Sequence, residues 1–178
     1  MEFYILRAIG KDRVGIVDDI SALTADCGCN IEESRMAVLG GEFAVIMLVS
    51  GKADQLNAIK ERAGNSIGGI SIEMIPTTSH SQTGDRLLYV IESVSFDAPG
   101  IVHSLTGLLR SMDINIEDLE TETAAAPWTG APMFHMRVRV SIKRGSSISG
   151  LKEALEDLGS EESLDIRIKA LGMEEGLL

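Results

Sequence analysis

The sequence predicts an α+β protein made of two βαββαβ units in tandem, each an antiparallel sheet with helices on one face. Three observations predict it. A glycine-containing turn occurs twice, as Gly10-Lys11-Asp12-Arg13-Val14-Gly15-Ile16-Val17 and as Ser95-Phe96-Asp97-Ala98-Pro99-Gly100-Ile101-Val102. The repeat continues in register, because Ile20, Ser21, Leu23 and Asn30-Ile31-Glu32 match Leu105, Thr106, Leu108 and Asn115-Ile116-Glu117 at the same offset of 85 residues. Hydrophobic periodicity then alternates between the two-residue repeat of a strand and the 3.6-residue repeat of a helix in the same order in both halves.

In the first half, residues 3–9 form an apolar run that reads as a strand. Ile16, Val17, Ile20, Leu23 and Cys27 then fall on one face of a helix, and Gly28 is placed to stop it. Residues 31–39 read as a second strand. Gly40-Gly41-Glu42 reads as a hairpin turn, and residues 43–49 as a third strand. A second helix over residues 53–62 turns Leu56 and Ile59 inward, and residues 70–75 close the unit. Gly64 to Gly69 reads as a turn between that helix and strand.

The second half repeats the order. Residues 87–94 form a strand. Ile101, Val102, Leu105, Leu108, Leu109 and Met112 mark a helix face. Residues 114–123 and 133–142 are strands, 148–158 a helix and 164–171 the last strand. Phe43 and Ser50 match Phe134 and Ser141 at an offset of 91, so the second copy carries six extra residues. They fall in Ala124 to Pro132, a loop by its proline and glycine content. The order is that of the ferredoxin-like split unit. The expected boundaries are a first domain at 1–76, a Thr/Ser/Gly-rich linker at 77–85, a second domain at 86–172 and a loose tail at 173–178.

The third strands differ. Phe134, Met136, Val138 and Val140 alternate with His135, Arg137 and Arg139, so one face there meets water or polar partners. Phe43 to Val49 is apolar almost throughout. That predicts cover on both faces, from the second unit or from another chain.

The chain has 178 residues, an apolar fraction of 44% and a net charge of −11. Residues 1–80 carry 7 basic and 11 acidic side chains and residues 81–178 carry 9 and 16, so neither half has a basic footprint. Direct binding to nucleic acid or to an anionic membrane is disfavoured. No apolar run reaches the ~20 residues of a membrane span. The start at Met1-Glu2-Phe3-Tyr4-Ile5-Leu6 lacks the pattern of a signal peptide, so the expected location is the cytoplasm.

Nothing in the pattern points to catalysis. Cys27 and Cys29 are too few for a structural zinc site and too close for an unstrained disulfide. Cys27 fits a buried helix stripe. His80, His103 and His135 share no metal-ligand spacing, and no Ser-His-Asp set or nucleophile elbow can be assembled. The expectation is no catalytic residue, no metal and no cofactor.

The repeated turn is the candidate site. A helix N-terminus with free N–H groups and no Cβ in the way can receive a carboxylate. Asp12 and Asp97 fit the N-cap position, where a side-chain oxygen accepts an orphan N–H, and they also fit a ligand amine. Pro99 fits the first helical turn. Gly15 and Gly100 fit either close ligand approach or close helix packing. Asn30 and Asn115 fit either a ligand contact or a left-handed turn.

With Asp-x-x-Gly-Ile opening the first helix and Asn-Ile following it, twice, the chain resembles the ACT domain, a small regulatory module that binds amino acids. The tandem order and the loop Pro127-Trp128-Thr129-Gly130-Ala131-Pro132-Met133-Phe134-His135 resemble the glycine cleavage system transcriptional repressor family. The resemblance implies a small amino acid ligand, glycine or similar. Its ligand residues would be Asp12, Arg13, Gly15, Asn30, Asp97, Gly100 and Asn115. It implies control of a protein partner, such as a transcriptional activator, without direct DNA contact. A homodimer is expected, in line with the apolar strand at residues 43–49. Arg13 has Ala98 as its counterpart, so the two sites are expected to be unequal, with the first the stronger. The alternatives are a regulatory subunit of an amino-acid metabolic enzyme, or a small hydrolase or transferase on the same fold.

Overall fold

A computed structural model of the chain describes residues 1–64, 66–78, 86–127 and 129–171. The expected tail, His80, Trp128 and most of the expected linker lie outside the described residues. The chain divides into two compact units, Met1–Ser81 and Gln82–Leu178.

Unit 1 contains β1 (Glu2–Lys11), α1 (Ile16–Asp26), β2 (Asn30–Leu39), β3 (Glu42–Gly51), α2 (Ala53–Ala63), β4 (Ser66–Ile67) and β5 (Ile70–Thr77). Its sheet runs β2-β3-β1-β5-β4. Leu39 pairs with Glu42, which leaves Gly40-Gly41 as the expected two-residue turn. The core forms where Leu6 and Ala8 of β1 and Phe43, Val45, Met47 and Val49 of β3 meet Ile16, Ile20 and Leu23 of α1 and Leu56 and Ile59 of α2. Strand side chains alternate faces and helix side chains recur every three or four residues, so these are the positions that can converge. The two-residue strand β4 was not expected, because its Ser66-Ile67 sits inside a glycine-rich stretch that carries no periodicity.

Unit 2 contains β6 (Arg86–Phe96), α3 (Ile101–Ser111), β7 (Asn115–Ala125), β8 (Pro132–Lys143), α4 (Ile148–Glu162) and β9 (Asp165–Ala170). Its sheet runs β7-β8-β6-β9. Both sheets are antiparallel. Ile91, Val138 and Val140 from the sheet and Leu105 and Leu109 from α3 are completely buried in its core.

The outward faces differ as their sequences do. In unit 2, Asp118 lies opposite Arg139, Glu120 opposite Arg137, and Glu92 between Arg137 and Arg167, a lattice of alternating charge. In unit 1, the outward face carries Ile5, Ile9, Ile46 and Leu48 around an Arg7–Glu73 ion pair. Burial along β3 alternates, and Ala44 and Ile46 remain exposed, Ile46 at 49%. Within unit 1 the outward residues of this apolar run form a hydrophobic surface.

Candidate functional site

The repeated turn has the same construction in both units. β1 ends at Lys11, and the Asp12 N–H donates to the Gly41 carbonyl at 3.0 Å; in unit 2 the Asp97 N–H donates to the Pro132 carbonyl at 3.3 Å. The start of a strand therefore anchors each turn, β3 through the residue just before it and β8 through its first residue. Each helix then begins from a left-handed glycine, Gly15 at φ 91° and Gly100 at φ 100°. The Asp19 N–H reaches the Gly15 carbonyl and the Ser104 N–H the Gly100 carbonyl, both at 2.9 Å.

This corrects two expectations. Asp12 and Asp97 are not the N-caps: the cap residues are Gly15 and Gly100, and neither helix has a side-chain cap. Pro99 lies ahead of α3, outside its first turn. The Asp-x-x-Gly spacing resembles a cap followed by a helix, but the left-handed glycine ends the turn three residues later and starts the helix there. Among the described residues, the carboxylates of Asp12 and Asp97 have no hydrogen-bond or ion-pair partner.

Both glycines face open space. A Cβ at Gly15 would meet only Arg13 Nη1, at 3.9 Å, and one at Gly100 would meet nothing within 4 Å. Their requirement is thus conformational, since an L-residue pays about 1–2 kcal/mol in the left-handed region. The first-turn N–H groups remain available to an external acceptor.

The two copies differ in charge. Arg13 Nη2 binds Asp19 Oδ2 at 2.6 Å, and Arg13 Nε reaches the Gly68 carbonyl at 3.4 Å in the turn between β4 and β5. Arg13 is thus engaged by its own helix and by that turn. The first turn of α1 contains Asp18 and Asp19, whereas that of α3 contains no acidic residue. Ser104 Oγ in α3 donates to Glu162 Oε1 at 3.0 Å.

Asn30 and Asn115 lie elsewhere. Asn30 pairs with Ser50, and Ser50 with Phe3, while Asp12 follows Lys11 at the other end of β1. Eight residue steps separate Phe3 from Lys11, or about 26 Å at ~3.3 Å per step. Asn115 stands in the same relation to Asp97 through Ser141 and Leu88. Within one unit, Asp12, Arg13 and Gly15 therefore come together and Asn30 does not join them; Asp97 and Gly100 come together without Asn115. The left-handed turn reading of the asparagines is also corrected, because both are the first residues of strands. Gly28 at φ 73° and Asp113 at φ 55° hold the left-handed positions.

Each asparagine belongs to a side-chain cluster that the sequence reading missed. Glu32 Oε1 accepts from Asn30 Nδ2 at 3.1 Å and from Ser50 Oγ; Glu117 Oε1 accepts from Asn115 Nδ2 at 2.7 Å and from Ser141 Oγ. The Ser50 hydroxyl and then the Asn30 amide hold the Glu32 carboxyl below the usual carboxylate range. The signal was present, since Glu32/Glu117 and Ser50/Ser141 are all duplicated positions.

The remaining reactive groups do not converge. Cys27 and Cys29 are half-buried rather than fully buried, and Arg62 Nη1 donates to Cys27 Sγ at 3.6 Å. Burial, then the neighbouring Cys27, pushes the Cys29 thiol up. His103 and His135 lie on α3 and on the outward face of β8. Among the described residues, no three His, Cys, Asp or Glu side chains are placed to hold a metal ion, and no helix is long and apolar enough to cross a membrane.

Comparison with known proteins agrees with this architecture. Residues 2–65 match the ACT domain family. The chain is 27% identical over 164 residues to the glycine cleavage system transcriptional repressor of Escherichia coli (strain K12), covering 89% of this chain and 85% of the relative. It is 38% identical over 69 residues to a UPF0237 protein of Methanopyrus kandleri, covering 36% of this chain and 77% of the relative. A crystal structure of an unknown protein from Galdieria sulphuraria superposes with a TM-score of 0.81 at 32% identity, covering 96% of this chain and 99% of that one. With the duplicated βαββαβ order and the duplicated glycine turn, the chain belongs to the ACT-domain proteins, as a tandem pair resembling the glycine cleavage system transcriptional repressor family.

Proposed function

We propose that the chain is an amino-acid-sensing regulator that binds a small amino acid such as glycine at its glycine turns and controls a protein partner. One observation carries this reading. Twice in the chain, an unpartnered aspartate stands three residues ahead of an uncapped, open helix N-terminus. A zwitterion matches that arrangement, with its carboxylate on the helix N–H groups and its ammonium toward Asp12 or Asp97. The ligand residues of this proposal are Asp12 and Gly15 in unit 1 and Asp97 and Gly100 in unit 2. Arg13 acts by neutralising Asp19.

An acidic group stands at both turns, so the charge balance does not rank one above the other. A ligand carboxylate at α1 meets Asp18 and Asp19, with Arg13 bound to Asp19, and one at α3 meets Glu162, which accepts from Ser104 in the first turn.

Similarity to the Escherichia coli repressor supports a role in transcriptional control of glycine metabolism. The net charge of −11 supports action through a protein partner without direct DNA contact. The bare face of β1 and β3 supports a homodimer, because its Arg7–Glu73 and Arg35–Glu33 pairs make it neutral within an acidic chain.

A thermal-shift screen of the common amino acids tests the reading. A ligand at about 100 times its dissociation constant adds ~2.7 kcal/mol of stability. A small amino acid should raise the melting temperature, and Gly15→Val and Gly100→Val should each reduce the rise. If no amino acid shifts the wild type, the sensing role is wrong.

A further inference from the structure

Unit 2 carries a cleft of about 440 Å³, within the size range of small-molecule sites. It is lined by Arg86, Arg110, Thr106 and Asn115, with apolar surface from Ile114 and Ile116. Asp113 also borders it. The cleft lies at the C-terminal end of α3, so the 11 residues of that helix separate it from the Gly100 turn by roughly 16 Å.

Its charges are arranged to leave a cation open. Asp113 Oδ2 is occupied by Lys143 Nζ at 2.6 Å, and that contact, strengthened by the nearby Arg86, holds its carboxyl below the usual range. Arg86 Nη1 donates to neutral acceptors, Ser141 Oγ at 3.1 Å and the Ser141 carbonyl at 3.4 Å. The Glu117 carboxylate accepts from Ser141 and from Asn115. The Arg110 guanidinium has no partner among the described residues. Among the described residues, Arg86, Arg110 and Lys143 therefore outnumber Asp113 and Glu117, in a chain whose net charge is −11.

The first unit is an internal control. Its equivalent corner is built on the same frame, with Asn30-Ile31 in place of Asn115-Ile116 and the same closing hydrogen bonds. Gly28 N–H reaches the Ala25 carbonyl at 2.8 Å, and Asp113 N–H the Arg110 carbonyl at 3.1 Å. At the matching positions unit 1 has Met1, Ala25 and Gly28 where unit 2 has Arg86, Arg110 and Asp113. Folding the corner therefore requires neither guanidinium. Charge at a helix C-terminus would account for Arg110 alone; it would not bring Arg86 to the same cleft from the start of β6.

We infer that this cleft is an anion site peculiar to unit 2, taking a small dianion that carries a phosphate or a pair of carboxylates between Arg86 and Arg110. Guanidinium forks match both groups, and Thr106 supplies a further polar contact. The site is distinct from the glycine turn and does not depend on amino-acid binding there.

Isothermal titration of the full chain with inorganic phosphate and with succinate, at constant ionic strength, tests it. One or both should bind saturably at a single site; phosphate alone indicates a phosphate ligand and succinate alone a dicarboxylate. Arg110→Gln and Arg86→Gln should each weaken binding about tenfold or more. Arg62→Gln, which removes a surface arginine of unit 1, should leave it unchanged. If Arg86→Gln unfolds because Arg86 anchors Ser141, the exposed Arg110→Gln decides. The proposal fails if neither anion binds saturably below about 10 mM, or if Arg62→Gln weakens binding as much as Arg110→Gln does. Gly100→Ala should leave anion binding intact, so failure of the glycine-turn site would be seen separately.

Discussion

Arg13 Nη2 lies 2.6 Å from Asp19 Oδ2, bridging the turn before α1 to the first turn of that helix. The pair fixes the electrostatics of the first copy, because the cation that distinguishes it from the second is bound by Asp19, whose counterpart Ser104 instead donates to Glu162. Both side chains are well exposed, at 39% and 43%, so the pair contributes at most ~1 kcal/mol to stability. Arg13→Ala should therefore move the melting temperature little. It should weaken any amino-acid binding at the Gly15 turn, since Asp18 and Asp19 would then repel the ligand carboxylate unopposed. Calorimetric titration of wild type and variant checks this, and tighter binding by the variant would contradict it.

The left-handed glycines give a second prediction. Gly15→Ala and Gly100→Ala should each cost about 1–2 kcal/mol, because each adopts positive φ with open space above it. Urea denaturation gives the cost. A steric requirement would make valine much worse than alanine at these sites; a purely conformational one predicts a smaller step from alanine to valine.

The order of elements was legible in the sequence because both units follow strict periodicities and each confirms the other. The turn chemistry was less legible. Asp12 and Asp97 have the residue type of a cap, yet the left-handed backbone at Gly15 and Gly100 moves the helix start past them. The position of Asn30 was hidden for a different reason. It is only fifteen residues from Gly15 in sequence, but the whole length of α1 intervenes and carries the chain to the opposite end of the sheet. Strand β4 was hidden because two residues have no period. The Glu32–Ser50 and Glu117–Ser141 contacts were within reach, since a duplicated carboxylate and a duplicated serine on adjacent strands are natural partners.

The Glu32 cluster predicts a pH dependence. The folded carboxyl is held low by Ser50 and Asn30, so the folded state favours the ionised form more than the unfolded state does. Its contribution is complete above the unfolded value and is lost as pH falls through the lower, folded one. The stability difference between wild type and Glu32→Gln should therefore be largest near neutral pH and shrink on acidification. Urea midpoints measured from pH 7 down to pH 3 would show this. A difference that grows toward low pH would reverse the assignment.

Acidity in both halves predicts that the purified chain does not bind duplex DNA. The basic residues on the outward face of unit 2 do not change this, because Arg137, Arg139 and Lys169 each face an acidic partner on a neighbouring strand or row. A gel-shift at physiological salt should show no sequence-specific complex with the protein alone. A specific complex would require a basic surface that the strand register does not provide.

The bare sheet face of unit 1 yields the last prediction. Ile9 is 58% exposed, Ile46 49% and Ile75 39%, and they lie on one face with Ile5 and Leu48. Apolar surface gains roughly 25 cal/mol for each Å² removed from water, so a patch of this kind tends to associate. A second copy of the chain is the natural cover. Net charge opposes association of two acidic chains, but this face is locally neutral, and Arg7 and Glu73 can re-pair across a two-fold axis. Ile46→Arg would place an unpaired charge at the centre of such an interface while remaining compatible with the fold, since its side chain points away from the core. Sedimentation should show a dimer for the wild type and a monomer for Ile46→Arg, with a melting temperature that depends on concentration only for the wild type. A wild-type monomer at tens of micromolar would remove the second copy as the cover for this face, and an Ile46→Arg dimer would place the interface elsewhere.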